Sequence, residues 1–439
     1  MEKAMVDTLN FDVATFGAGP AGISAAIAAA REGMSVVLIE SSDSIGGVMR
    51  SCPGMMLGGG YPCGKSVGGF FEEYTQRLFH MNPPAAQRRK CSLGEFGDEV
   101  VYDPDIGIST LYQMLEENGV RLIISAISLS VNMIDARIQS VRIATKGHSV
   151  DIVANVFIDC TGDGDIAAMA GVPNQKGNEQ GLMMGATLTF FMENVDWDLA
   201  FEDSSDPYFT RFAEKGISQG RIHASIPQIY FLRGFRSGSV FFNTVTVTGV
   251  DGTDMDSVLK GTNIARERVL QLARYCIEEL PGFQNAILSR IGPLVGIRET
   301  RKLEGCYVLQ YEDIKNETKF IDGIVACDNP LDDVFRDETE THYSHDSALE
   351  KGKYYTIPFR TLVPKTVRNL LFAGRNISVD AKAFASVRGM PQCMIMGQAA
   401  GVASAFAITE NCFVQAINSV AVAHRLSALG VNGIVHNQL

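Results

Sequence analysis

The nine cysteines of this 439-residue chain form no C-x-x-C pair and no metal-ligand cluster, and their number is odd. No dithiol redox centre, metal site or disulfide framework is therefore expected. With no secretory pattern at the N-terminus, reduced thiols in a cytoplasm are the expectation. Positive charge is also short, with 38 Lys and Arg against 50 Asp and Glu and a net charge of -12. Such a balance repels polyphosphates and anionic lipid, so nucleic acid and membrane surfaces are poor main partners. There is no internal repeat and no low-complexity tract. Nor is there a clean membrane span: the apolar run from Val13 to Ile39 is broken by Arg31 and Glu32. The run Met390 to Ile408 has Gly397 and Gly401 spaced as in a membrane dimer motif, but it opens with Pro391 and Gln392 and carries Gln398. A helix buried on all sides within a soluble protein fits it better.

What is present is an alternation of short buried strands and helices. Phe11–Phe16 is an apolar strand, Pro20–Glu32 an Ala-rich helix, and Ser35–Glu40 a second strand whose continuous apolar run suits a parallel sheet. Helical spacing follows over Phe70–Phe79 and Ile108–Asn118, strand-like segments fill Val120–Ile143, and Val153–Asp159 is another buried strand. The middle of the chain mixes β-rich stretches such as Ser239–Thr248 with a helix near Asn263–Glu279. From Leu370–Ala373 the first pattern returns. The expected architecture is α/β: a Rossmann-type dinucleotide-binding domain built from residues 1–180 and 351–439, with a β-rich α+β substrate or cap domain inserted at 181–350.

Gly17, Gly19 and Gly22 make G-x-G-x-x-G between the first strand and the first helix, and Glu40 ends the second strand. Gly17 permits the tight turn, Gly19 lets a pyrophosphate approach the backbone, and Gly22 lets helix and strand pack closely. Glu40 can accept hydrogen bonds from both hydroxyls of an adenosine ribose and opposes a 2'-phosphate. Two further strand ends, Asp159 to Asp165 and Leu371 to Arg375, also carry glycine turns. Three strand ends aimed at one extended ligand favour FAD over NAD. The absence of a second complete G-x-G-x-x-G with its own acid argues against a permanent NAD(P)H site.

These blocks, with FIDCTGDGDIAAMAG (157–171), GIRETRKLEGCYVL (296–309), IPFRTLVP (357–364), LFAGRNIS (371–378) and VRGMPQCMIMGQAAG (387–401), resemble a known family. It is the bacterial FAD-dependent oxidoreductases of the glutathione-reductase-like superfamily, distantly like fumarate reductase flavoproteins. The resemblance implies that Gly17, Gly19, Pro20, Ala21, Gly22, Glu40 and Ser41 hold the adenosine diphosphate half of FAD. It implies Gly47, Val48, Met49, Gly374 and Arg375 near the diphosphate and ribityl chain, and Thr161 and Gly162 near the adenosine. Pro391, Gln392 and Cys393 would start the helix whose positive end faces the flavin; for Cys393 a buried, inert thiol is the preferred role. Where relatives carry a His after the A-G-R-x-I-S block this chain has Ala381, which implies non-covalent FAD.

Hydride transfer needs a group to hold the substrate and an acid or base for the proton. The candidates are Arg298, Arg301, Arg360, Tyr355 and Lys382, with Glu299, Arg388, Tyr354 and Cys63 behind them; a structural ion-pair network is the ordinary alternative for the charged ones. Three activities compete. One is a dehydrogenase or reductase acting on a small organic substrate with an unknown electron donor or acceptor, another a monooxygenase using NAD(P)H and O2, and the last a non-catalytic electron-relay subunit. Self-association stays open, and no metal is expected.

Overall fold

The computed structural model describes residues 7–91, 96–203, 205–334, 336–337, 344–346 (backbone only) and 348–434. Every residue of Val36–Ile39 is buried, as a parallel strand covered on both faces requires. It pairs in parallel with Asp7–Phe16, Phe16 lying opposite Ile39. On its other side Asp7–Phe16 pairs in parallel with His148–Asp159, and there Phe16 is opposite Asp159. The sheet runs Arg121–Ile123, Val36–Ile39, Asp7–Phe16, His148–Asp159, Arg137–Thr145, Ile127–Ile134, the last two joining antiparallel. Leu370–Phe372 then adds in parallel beside the far end of His148–Asp159, with Phe372 opposite Asp159. With Ile123 opposite Ile39, five parallel strands therefore end level with one another.

A second sheet, antiparallel throughout, has the order Phe231–Arg233, Val240–Val247, Ala186–Glu193, Ile287–Ile291. It shares a separate apolar core with helix Met255–Glu279, in which Phe190 stacks on Phe242 at 4.3 Å between ring centroids. The architecture is thus a Rossmann-type α/β core with an inserted antiparallel sheet. Two helices begin earlier than their apolar spacing suggests. Asp254 caps Met255–Glu279 by accepting from the Asp256 amide, and Asp103 caps Pro104–Glu117 by accepting from the Asp105 and Ile106 amides. In both cases an aspartate fixes the start rather than the first apolar residue. A small sheet, Leu57–Gly58, Asp98–Tyr102 and Ala86–Lys90, was not apparent in the glycine-rich and polar sequence around it.

Helix Met390–Thr409 is long and apolar enough to cross a membrane, yet 83% of its apolar window is buried inside the protein. Its glycines explain why. A Cβ on Gly397 would lie 1.9 Å from the Ala21 carbonyl oxygen, and one on Gly401 would lie 2.3 Å from that of Ala25. The helix crosses Pro20–Arg31 backbone to backbone, and Ser24 Oγ donates across the crossing to the Met394 carbonyl at 2.6 Å. Small residues at such a crossing do the same work here as in a bilayer. Gly397→Val should force the helices apart and lower stability by about 2 kcal/mol or more. Urea denaturation checks this, the expected outcome being a lower midpoint with an unchanged slope.

Candidate functional site

A cavity of about 700 Å³ opens at the carboxyl ends of the parallel strands, and its wall includes Gly17, Glu40, Thr161 and Gly374. This is where an open α/β sheet leaves a crevice between strands and helices. The first strand turns into helix Pro20–Arg31 through Gly17, at φ +90°, where a Cβ would collide with the Cys160 carbonyl oxygen at 2.4 Å. Gly22 sits off the cavity against the Gly17 carbonyl and keeps the helix on its strand. Gly19, Pro20 and Ala21 line the cavity; the Gly19 and Ala21 amides have no partner within the helix, and Pro20, at its first position, has no N–H to satisfy. Opposite them Gly47, at φ +51°, brings a second loop so close that a Cβ there would lie 2.8 Å from Gly19 Cα. Two stretches of backbone without side chains thus face one space.

Glu40 is 8% exposed and lines the same space. One of its carboxylate oxygens accepts from the Ala18 amide at 2.7 Å, the other from the Ser42 amide and hydroxyl at 2.8 Å each. Ser41 lines the wall and donates to Glu40 at 3.3 Å. The Thr161–Gly162 turn is fixed by the buried Asp159, which accepts from the Thr161 amide and hydroxyl at 3.0 and 2.7 Å. Arg375 pairs with Asp163 at 2.8 Å and donates to Thr300 Oγ1 at 2.9 Å. Val48 lines the wall, while Met49 belongs to the apolar core beneath it.

At the other end Gly389, Met390 and Cys393 line the wall, whereas Pro391 and Gln392 do not. Gln392 is buried and donates to the Gly59 carbonyl at 2.7 Å. Burial pushes the Cys393 thiol up to about 12, so it stays protonated at neutral pH.

Of the candidates for catalysis, only Arg298 and Arg388 reach the cavity. Arg301 is turned instead to the Asp163 carbonyl at 2.8 Å and to Asp165 at 2.9 Å, strapping the inserted region to the Thr161 turn. Arg360 pairs with Asp322 at 2.9 Å and lies over the Tyr307 ring. Tyr355 is fully buried and bonds Ser386 Oγ at 2.8 Å, and burial holds its phenol well above the usual range. Lys382 is exposed and off the cavity wall, its ammonium 3.6 Å from the centroid of the Tyr311 ring. Glu299 is enclosed between Lys302 at 2.6 Å and Arg336 at 2.7 Å. Tyr354 lies under the Lys319 ammonium, and Cys63 is exposed away from the cavity. For Arg301, Arg360, Tyr355 and Lys382 the physical reason is common: their partners Asp165, Asp322, Ser386 and Tyr311 are remote in sequence.

The inserted sheet supplies wall residues that had not been singled out: Thr187, Thr189, Asn243, Thr244 and, beside them, Tyr208 and Tyr230. Thr187 and Thr189 are two apart on one strand and so share a face. Asn243 is the lone amide in VFFNTVTV, which is the signal that could have pointed to it. Other carboxylates on the wall are matched by arginines: Glu99 by Arg89 at 2.8 Å, Asp163 by Arg375, Asp165 by Arg301, and Asp332 by Arg388 at 2.6 Å.

The sequence profile of a family described as FAD dependent oxidoreductase matches residues 12–426. Among curated protein sequences none matches. In fold the chain is similar to a flavin-dependent brominase, with TM-score 0.50 and 12% identity over 96% of this chain and 83% of the other. It is similar also to p-nitrophenol 4-monooxygenase from Pseudomonas putida, with TM-score 0.50 and 9% identity over 95% and 83%. A geranylgeranyl bacteriochlorophyll reductase-like protein from Thermoplasma acidophilum gives TM-score 0.49 and 15% identity over 96% and 83%.

Because Glu40 both faces the cavity and anchors the Ala18 amide, Glu40→Ala should weaken FAD binding by about a hundredfold or more, the effect of losing two charge-assisted hydrogen bonds. Titration of the apoprotein with FAD measures it. An unchanged affinity would mean that Glu40 serves only the turn.

Proposed function

The chain belongs to the FAD-dependent oxidoreductase family, and we propose that it moves a hydride between its bound FAD and a small organic substrate held beneath the inserted sheet. FAD is its cofactor, and the strand-end wall fits it: backbone at Gly17–Ala21 and Gly47 for the diphosphate, and the Glu40 carboxylate for the ribose. When bound, FAD supplies the two-electron chemistry through its flavin ring. The observation that carries the substrate reading is the continuity of one cavity from Gly17 and Glu40 to Thr187, Asn243 and Tyr230. The adenosine and diphosphate need only the strand ends; the polar and aromatic wall under the inserted sheet supports the flavin ring with a substrate beside it.

The chain's own groups then have distinct tasks. The amides opening helix Pro20–Arg31 attract the diphosphate. Gly389 and Met390 lay the positive end of a 20-residue helix along the other part of the wall, where it favours negative charge. The Thr187 and Thr189 hydroxyls and the Asn243 amide orient the substrate. In this account residues 1–180 and 351–439 form the FAD-binding domain and 181–350 the substrate domain. On this reading the family blocks support a grouping with the glutathione-reductase-like flavoproteins, distantly like those of fumarate reductase. A separate, transiently bound carrier gives or takes the electrons, FAD is held without a covalent bond, and the free cysteines suit the cytoplasm.

The test is an anaerobic screen of metabolites against the purified yellow protein. At least one small organic compound should bleach the flavin without O2 or NAD(P)H, and acid should release the flavin intact. Bleaching by NAD(P)H alone, with an organic compound consumed only when O2 is admitted, would replace this proposal with a monooxygenase. A flavin that no small molecule reduces would leave an electron-relay subunit.

A further inference from the structure

Among the described residues, one arginine on the cavity wall is matched by no carboxylate. Arg50, Arg375 and Arg388 each pair with a carboxylate, Asp43, Asp163 and Asp332 respectively. Arg298, among the described residues, pairs with none. Its guanidinium is fixed by neutral oxygens: Nη1 donates to the Gly185 carbonyl at 2.9 Å and to Thr187 Oγ1, and Nη2 donates to Asn243 Oδ1 at 3.2 Å. A guanidinium carries five N–H groups. The Nε–H and one Nη2–H, on adjacent nitrogens, are left over, and Arg298 lies on the cavity wall. Adjacent donors on a planar cation match the two oxygens of a carboxylate.

What lies beside the charge is apolar and ring-lined. Asn243, which holds Nη2, donates its backbone amide to the Tyr230 carbonyl at 3.2 Å. The Tyr230 ring tilts against Tyr208 at 5.7 Å between centroids, and both line the cavity with Pro227, Met255 and Leu294. We infer that Arg298 and this wall form the binding site for an organic carboxylate with a ring-bearing apolar body, a substrate class that rests on the reading of a substrate beneath the inserted sheet. The charge fixes one end of the molecule. The tyrosines and Met255 take the rest out of water.

The probes are benzoate and 3-phenylpropionate, their primary amides, and acetate, each titrated into the oxidised, FAD-loaded protein and followed by the shift of the flavin absorbance and by calorimetry. Both aromatic carboxylates should bind, with their amides and acetate weaker by about tenfold or more. In Arg298→Met the preference for carboxylate over amide should vanish while FAD content stays at the parent level, and Arg298→Lys should recover part of it. Equal binding of acid and amide by the parent, or binding of neither, would overturn the inference whatever becomes of the variants. Loss of FAD from a folded Arg298→Met would assign the guanidinium to the cofactor and overturn it too. Because binding requires no turnover, a failed hydride transfer leaves this result readable by itself.

Discussion

The structure depends on one helix having almost no side chains on two sides. Pro20–Arg31 lies against its strand through Gly22, where a Cβ would meet the Gly17 carbonyl oxygen, and against Met390–Thr409 through Gly397 and Gly401. Both approaches are backbone on backbone. They fix the amides that open the first helix relative to the strand ends, and they hold the start of the last helix over the same cavity. Residues nearly the whole chain apart in sequence thereby share one wall. A methyl group at any of these three glycines would separate elements that the cofactor needs together.

This constraint also explains what was legible in the sequence. The glycine turn, Glu40, the parallel strands and the small-residue helix could be read because each depends on local conformation or on burial periodicity. Arg301, Arg360, Tyr355 and Lys382 could not be placed, since their partners Asp165, Asp322, Ser386 and Tyr311 come from elsewhere in the chain. The block Gly296–Arg301 is the plainest case. Within four residues it sends Arg298 to the cavity, Glu299 into a buried ion cluster, and Arg301 to a strap between the two parts of the fold. Alternation shows that Thr187 and Thr189 share a face, but not that this face meets the cavity.

The ion pairs around the cavity act as fasteners. Arg375, Asp163 and Thr300 tie the returning strand to the inserted region, Arg89 links Glu99 to the Arg233 carbonyl, and Arg236 joins Asp103. Pairs with a partly exposed partner contribute little net stability. Their effect is to hold the inserted sheet at a set position over the strand ends. That leaves Arg298, braced by neutral oxygens, as the arginine on the wall that no described carboxylate matches.

The central claim is that one cavity holds FAD along the strand ends and brings its flavin to the inserted sheet. A crystal structure of the FAD-loaded protein tests it most directly. The account requires the adenosine ribose at Glu40 and the flavin ring beside the wall formed by Thr187, Arg298 and Met390. A ring directed toward Ile127 and Ser128, with the inserted sheet facing empty solvent, would contradict it.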